Sequence, residues 1–138
     1  MPTRGRPGVP PLALAVVLLA GVLAACAGPS AEIRAGRPGT FEEGKATYYA
    51  RRLTGHPTAT GEPYDPEKMT AAHHALPLGT WVRVTRLDEP SLSPIVVRIN
   101  DRCAGRRKII DLSETAARRL KMMRAGIVPV RLEVIPPP

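Results

Sequence analysis

Three runs of alternating apolar and polar residues limit what this chain can fold into. In residues 81–87, Val82 and Val84 face one way while Arg83 and Thr85 face the other. In residues 95–100, Ile95, Val97 and Ile99 share one face, with Val96 and Arg98 opposite. Val128, Val130, Leu132 and Val134 alternate in the same manner near the end. A period of two describes a half-buried strand, because successive side chains of an extended chain point to opposite faces. Each run is short, so the chain must gather several strands around one core.

The intervening segments agree. Residues 44–50 read as an opening strand, since Tyr48 and Tyr49 favour extended backbone. Residues 51–68 carry Gly55, Pro57, Gly61, Pro63 and Pro66 and read as a loop. Residues 70–74 form a short strand or a turn, and residues 88–94 a turn with two prolines. Residues 109–112 are a short apolar strand. Ser113 then suits a helix N-cap, its hydroxyl accepting from a free backbone N–H, and Glu114 suits the positive end of that helix. Ala116, Leu120 and Met123 fall at helical spacing, and Gly126 is placed to end the helix. The sum is five or six strands and one short helix, a mainly β chain. A small closed barrel is the expected solution, because closure removes the exposed edges of an open sheet.

The first residues read as an address. Arg4 and Arg6 precede an apolar, uncharged stretch at 12–23 that is short for a membrane-spanning helix. Small residues and Cys26 come next, the pattern of a secretory signal peptide over 1–25. Leu23-Ala24-Ala25-Cys26 resembles a bacterial lipobox, which implies acylation of Cys26 and a lipid anchor. Ala27, rather than Asp, succeeds that Cys, and by analogy the destination is the periplasmic face of the outer membrane. Residues 26–43 read as the lipidated Cys and a flexible tether, rich in Gly, Pro, Ala and charge. Residues 44–135 are the one folded domain and 136–138 a proline tail. All 12 acidic and 18 of the 20 basic residues lie after Cys26, leaving that portion at +6. A basic surface in the cell envelope attracts anionic polymers or lipid headgroups, and an exported, anchored chain rarely meets nucleic acid. With Cys26 acylated, Cys103 is alone and the domain has no internal disulfide.

Six motifs occur in order. They are Gly44-Lys45-Ala46-Thr47-Tyr48-Tyr49, Thr58-Ala59-Thr60-Gly61-Glu62-Pro63-Tyr64-Asp65, Thr70-Ala71-Ala72-His73, Leu76-Pro77-Leu78-Gly79-Thr80, Val97-Arg98-Ile99-Asn100-Asp101-Arg102 and Ile110-Asp111-Leu112-Ser113. Together they resemble the rare lipoprotein A family. The resemblance implies a six-stranded double-psi β-barrel, the fold of expansins and barwin-like proteins. It implies a lytic transglycosylase acting on peptidoglycan, and as alternative a non-catalytic, expansin-like wall-binding lipoprotein. Division-site proteins are expected partners, and the chain is expected to act as a monomer. Two departures stand out. Cys103-Ala104 replaces the family's usual Gly-Pro, and Tyr48-Tyr49-Ala50 its usual Trp-Tyr-Gly.

Breaking a glycosidic bond requires a proton for the departing oxygen, and hydrolases add a second carboxylate for water. A lytic transglycosylase needs less. The C6 hydroxyl of N-acetylmuramic acid attacks its own C1, so proximity replaces an activated water. One acid that then serves as base is the minimum equipment. Asp101, at the end of a strand, is the first candidate and matches the family's catalytic Asp. By the same resemblance Glu62 and His73 complete the catalytic set, Glu62 tuning Asp101 or binding a sugar hydroxyl, His73 bonding Asp101 or the sugar. Asp65, Tyr64 and Arg98 are the expected substrate-binding residues, Tyr64 by stacking on a sugar face. No metal is expected, since His73 and His74 are adjacent on an extended segment and no Cys cluster supports them. The chemistry calls for no cofactor.

Overall fold

The computed structural model describes Met1, Gly8 and residues 31–138. Apart from Met1 and Gly8, the expected signal peptide, Cys26 and the first part of the tether lie outside the described residues. Among the described residues six strands are present: β1 (Phe41–Tyr48), β2 (Thr70–His73), β3 (Trp81–Arg86), β4 (Ile95–Asp101), β5 (Ile110–Leu112) and β6 (Val128–Ile135). The described residues also form two short helices, α1 (Ala31–Arg34) and α2 (Glu114–Arg119), and one 3₁₀ turn at Arg51–Leu53.

The strands close into a barrel in the order β1-β5-β2-β4-β3-β6. Two neighbouring pairs are parallel, β1 with β5 and β2 with β4, and the others are antiparallel. The alternation read from the sequence sets the inside. Val82 and Val84 of β3, Val97 and Ile99 of β4, and Leu132 and Val134 of β6 are all buried. Their polar alternates Arg83 and Arg131 lie exposed. β2 differs, because Thr70, Ala71, Ala72 and His73 are all buried. Two consecutive alanines suit a strand that is covered on both faces.

Two expectations need correction. The tether does not run to residue 43, because β1 begins at Phe41 and Ala31–Arg34 is helical with Ile33 wholly buried. One apolar residue among charged neighbours is too little pattern to announce a helix. Helix α2 ends at Arg119, well before Gly126, because the chain turns through Lys121 at a φ of 51°. The turn shifts the side chains, so Met122 is buried in the core while Met123 packs partly buried against it. Ser113 does cap α2, its hydroxyl accepting from the N–H of Ala116.

One irregularity positions the site. In the pairing of β2 with β4, Ala71 faces Ile99 but Ala72 faces Asp101, so Asn100 has no opposite number. A bulge of this kind adds a residue to one strand and re-aims the next side chain. Asn100 is thereby buried, and Asp101 emerges half-buried at the barrel rim.

Candidate active site

Asp101 is held by three donors. Its Oδ2 accepts from the hydroxyl of Tyr49 at 2.6 Å. Its Oδ1 accepts from the backbone N–H of Ala59 and of Arg102, each at 2.8 Å. Tyr49 comes directly after β1, and its ring rests on that of Tyr64 at 4.5 Å between centroids. Burial, reinforced by the bond to Asp101, pushes the Tyr49 hydroxyl well above its ordinary value. Tyr49 is therefore a fixed neutral donor at any working pH.

Ala59 comes from the Gly/Pro loop, which folds on itself before reaching the barrel. Thr58 N–H donates to the carbonyl of Glu62 at 2.8 Å, and Gly61 turns the chain at a φ of 88°. A second contact, Thr60 N–H to the carbonyl of Asn100 at 3.1 Å, docks this loop on the bulge. Glu62 is thus brought to the end of β4. Its Oε1 accepts from Arg98 at 2.8 Å, Thr60 at 3.1 Å and Asn100 at 3.2 Å. The hydrogen bond from Arg98 leads in holding the Glu62 carboxyl below the usual range. Glu62 is accordingly an ionised brace and not a proton donor. Arg98 is committed to Glu62, and Arg102 donates to the carbonyls of Leu76 at 2.7 Å and His73 at 3.2 Å.

His73 does not reach Asp101. Its side chain is wholly buried. Nδ1 accepts from the backbone N–H of Ala75 at 3.0 Å and of Leu76 at 2.9 Å, which leaves Nε2 to donate to Glu42 of β1. Every polar atom of the ring is occupied within the protein, so the expectation of a bond to Asp101 or to sugar gives way to that of a strut. Tyr64 is corrected likewise. It is buried, covered by Tyr49, and its hydroxyl accepts from the N–H of Glu114 at 3.2 Å, leaving no ring face for a sugar. Asp65 accepts from the N–H of Glu67 at 2.9 Å, a local turn, and makes no contact with the Asp101 cluster among the described residues.

Asp111 joins the site without a role expected from the sequence. Ala72 pairs with Asp101 on one side and Asp111 on the other, so both carboxylates share one face across β2. Strands lie about 4.8 Å apart, placing their Cα atoms on the order of 10 Å from each other. Asp111 accepts from Thr47 at 2.8 Å and Lys108 at 2.7 Å. Cys103 lies near both acids, its thiol 3.6 Å from the carbonyl of Ala72. Burial raises that thiol above its ordinary value, and the two carboxylates add to the effect. An acid centred in an otherwise apolar three-residue strand was the available signal for Asp111.

The closed six-stranded barrel, with its parallel pairs β1–β5 and β2–β4, is that of a double-psi β-barrel domain. Residues 41–132 match the family described as Lytic transglycolase, and the chain belongs to that family. It is 51% identical over 96 residues to the "Probable endolytic peptidoglycan transglycosylase RlpA" of Nostoc sp., across 67% of this chain and 25% of that protein. It is 46% identical over 100 residues to the "Endolytic peptidoglycan transglycosylase RlpA" of Vibrio cholerae, across 70% of this chain and 36% of that protein. The chain thus spans between a quarter and about a third of the length of these relatives. Among solved structures it is similar to Streptomyces papain inhibitor, with a TM-score of 0.58 and 25% identity over 72% of this chain and 98% of that one. An apo expansin of Clavibacter michiganensis gives a TM-score of 0.56 and 28% identity over 72% of this chain and 52% of that one.

Proposed function

We propose that this domain cuts the glycan strands of peptidoglycan as a lytic transglycosylase. It would break the β-1,4 bond between N-acetylmuramic acid and N-acetylglucosamine and leave 1,6-anhydro ends. The observation that carries the reading is the Asp101 carboxyl, braced at the barrel rim by Tyr49, Ala59 and Arg102. Membership of the Lytic transglycolase family supports it. In this reading protonated Asp101 gives its proton to the departing glycosidic oxygen. The C6 hydroxyl of the muramic sugar closes on C1, and its proton passes back to Asp101. The acid is restored in one turnover, with no second carboxylate needed for water. Glu62, ionised by Arg98, fixes the loop that supplies Ala59. His73 keeps the turn after β2 in place.

The same reading places the protein in the cell envelope, where its substrate lies. Acylation of Cys26 would hold it at the periplasmic face of the outer membrane, and division-site proteins would be its partners there. A second reading, binding without cutting, is favoured by the likeness to expansins and by Cys103 and Ala104 beside Asp101. One experiment separates them. Purified sacculi and peptide-free glycan strands are digested with the protein, and 1,6-anhydro ends are sought by mass spectrometry. The wild type yields them and Asp101→Asn does not. If both proteins give the same product yield, including none, the catalytic assignment of Asp101 is wrong.

A further inference from the structure

The loop from β4 to β5 borders two adjoining cavities of about 440 and about 350 Å³. Both are lined by Arg106, Arg107, Lys108 and Ile127, and neither has an acidic residue in its wall. Lys45 completes the basic border of the larger one, and Thr47 opens the smaller. Lys108 is committed to Asp111. Lys45, Arg106 and Arg107 make no ion pair among the described residues.

The loop that carries these charges is seated on the barrel. A Cβ on Gly105 would stand 2.7 Å from the ring of His74, so the backbone there lies flat on that imidazole. Beyond it, Ile109 N–H donates to the carbonyl of Lys45 at 2.9 Å. The smaller cavity lies beside one of the two acids. Thr47 lines the smaller one and donates to Asp111, which shares its strand face with Asp101 through Ala72.

We propose that this cleft holds a carboxylate borne on the glycan strand, next to the bond that Asp101 acts on. The inference rests on the lytic transglycosylase reading for the direction of the strand along the rim. Its own support is chemical. Ile109 and Ile127 offer the apolar surface that a sugar ring covers, Ile127 being more than half exposed. Two guanidinium groups without ion-pair partners among the described residues match a carboxylate in shape and charge. The anionic groups of a peptidoglycan strand are carboxylates, either on the lactyl ether of the muramic sugar or on its peptide stem.

Binding is measured by equilibrium titration with the full chain carrying Asp101→Asn, so that strands stay intact. The probes are peptide-free strands, the same strands with carboxyls amidated, peptide-bearing strands, and phosphatidylglycerol vesicles. Arg106→Ala with Arg107→Ala should weaken binding to peptide-free strands by about tenfold. Arg106→Lys with Arg107→Lys should recover only part of it, because an ammonium keeps the charge and loses the bidentate fork. Amidation should cost the parent a similar factor and the double Ala variant nothing. An arginine effect confined to peptide-bearing strands assigns the carboxylate to the stem and supports the cleft. Equal affinity of parent and double Ala variant on both peptide-free and peptide-bearing strands overturns it, as does a loss that persists on amidated strands or appears only with vesicles. Cleavage by the protein with Asp101 intact is scored separately. Arginine-dependent binding without anhydro ends removes the enzyme and leaves the cleft, and anhydro ends without arginine dependence do the reverse.

Discussion

Tyr49 is the residue through which the geometry of Asp101 can be tested. Tyr49→Phe deletes one of three donors and keeps the ring on Tyr64. We expect the yield of anhydro ends per unit time to fall about tenfold through kcat, with KM little changed, since the bond orients the acid and not the sugar. A second expectation concerns Cys103. Its raised thiol and partial burial should make alkylation by iodoacetamide at pH 7 slower in the folded protein than in urea, and equal rates would contradict its packing against Ala72. Asp101 and Glu62 are legible as rim acids because the motif and the strand end are local features. His73 and Tyr64 are not, because their environments are assembled from afar. Glu42 lies 31 residues from His73, and Glu114 lies 50 residues from Tyr64. No reading of a single segment reveals a partner at that separation.

Among the elements, α2 owes its start to Ser113 and its attachment to Glu114, which is buried and paired with both Arg51 and Arg118. The hydrogen bond from Arg51 leads in lowering the Glu114 carboxyl below its ordinary range. A depressed acid contributes stability that is complete above its unfolded value, about 4.3, and is lost as pH falls through the folded value. Glu114→Gln should therefore lower the melting temperature at pH 7 and flatten its fall below about pH 4.3, as followed by circular dichroism. A mutant curve parallel to the wild type across that window would refute the clamp. Strands β3, β4 and β6 are legible because alternation is a direct imprint of a pleated, half-buried chain. The bulge at Asn100 is not, since it depends on which strand lies beside β4. The early end of α2 is hidden because a left-handed residue at Lys121, not a glycine, makes the turn.

For the molecule as a whole, the barrel interior is one cluster that includes Val97, Leu112 and Leu132. Leu132→Ala should cost about 2–5 kcal/mol, the range for emptying a closed apolar site. Because the sheet has no free edge along which to peel, fluorescence of Trp81 and far-ultraviolet dichroism should report the same urea midpoint, lowered equally by the mutation. Strand order is beyond the reach of periodicity, which says that a segment is extended but not what lies next to it. Here the family resemblance supplies the barrel topology. The pairings have a temporal consequence. β6 is the last strand and it bonds to both β1 and β3, so the ring stays open along two sides until residues 128–135 arrive. Joining such distant stretches makes maturation slow compared with helical bundles of similar size. A nascent chain halted before that final segment would present two sticky borders, inviting self-association instead of a working domain.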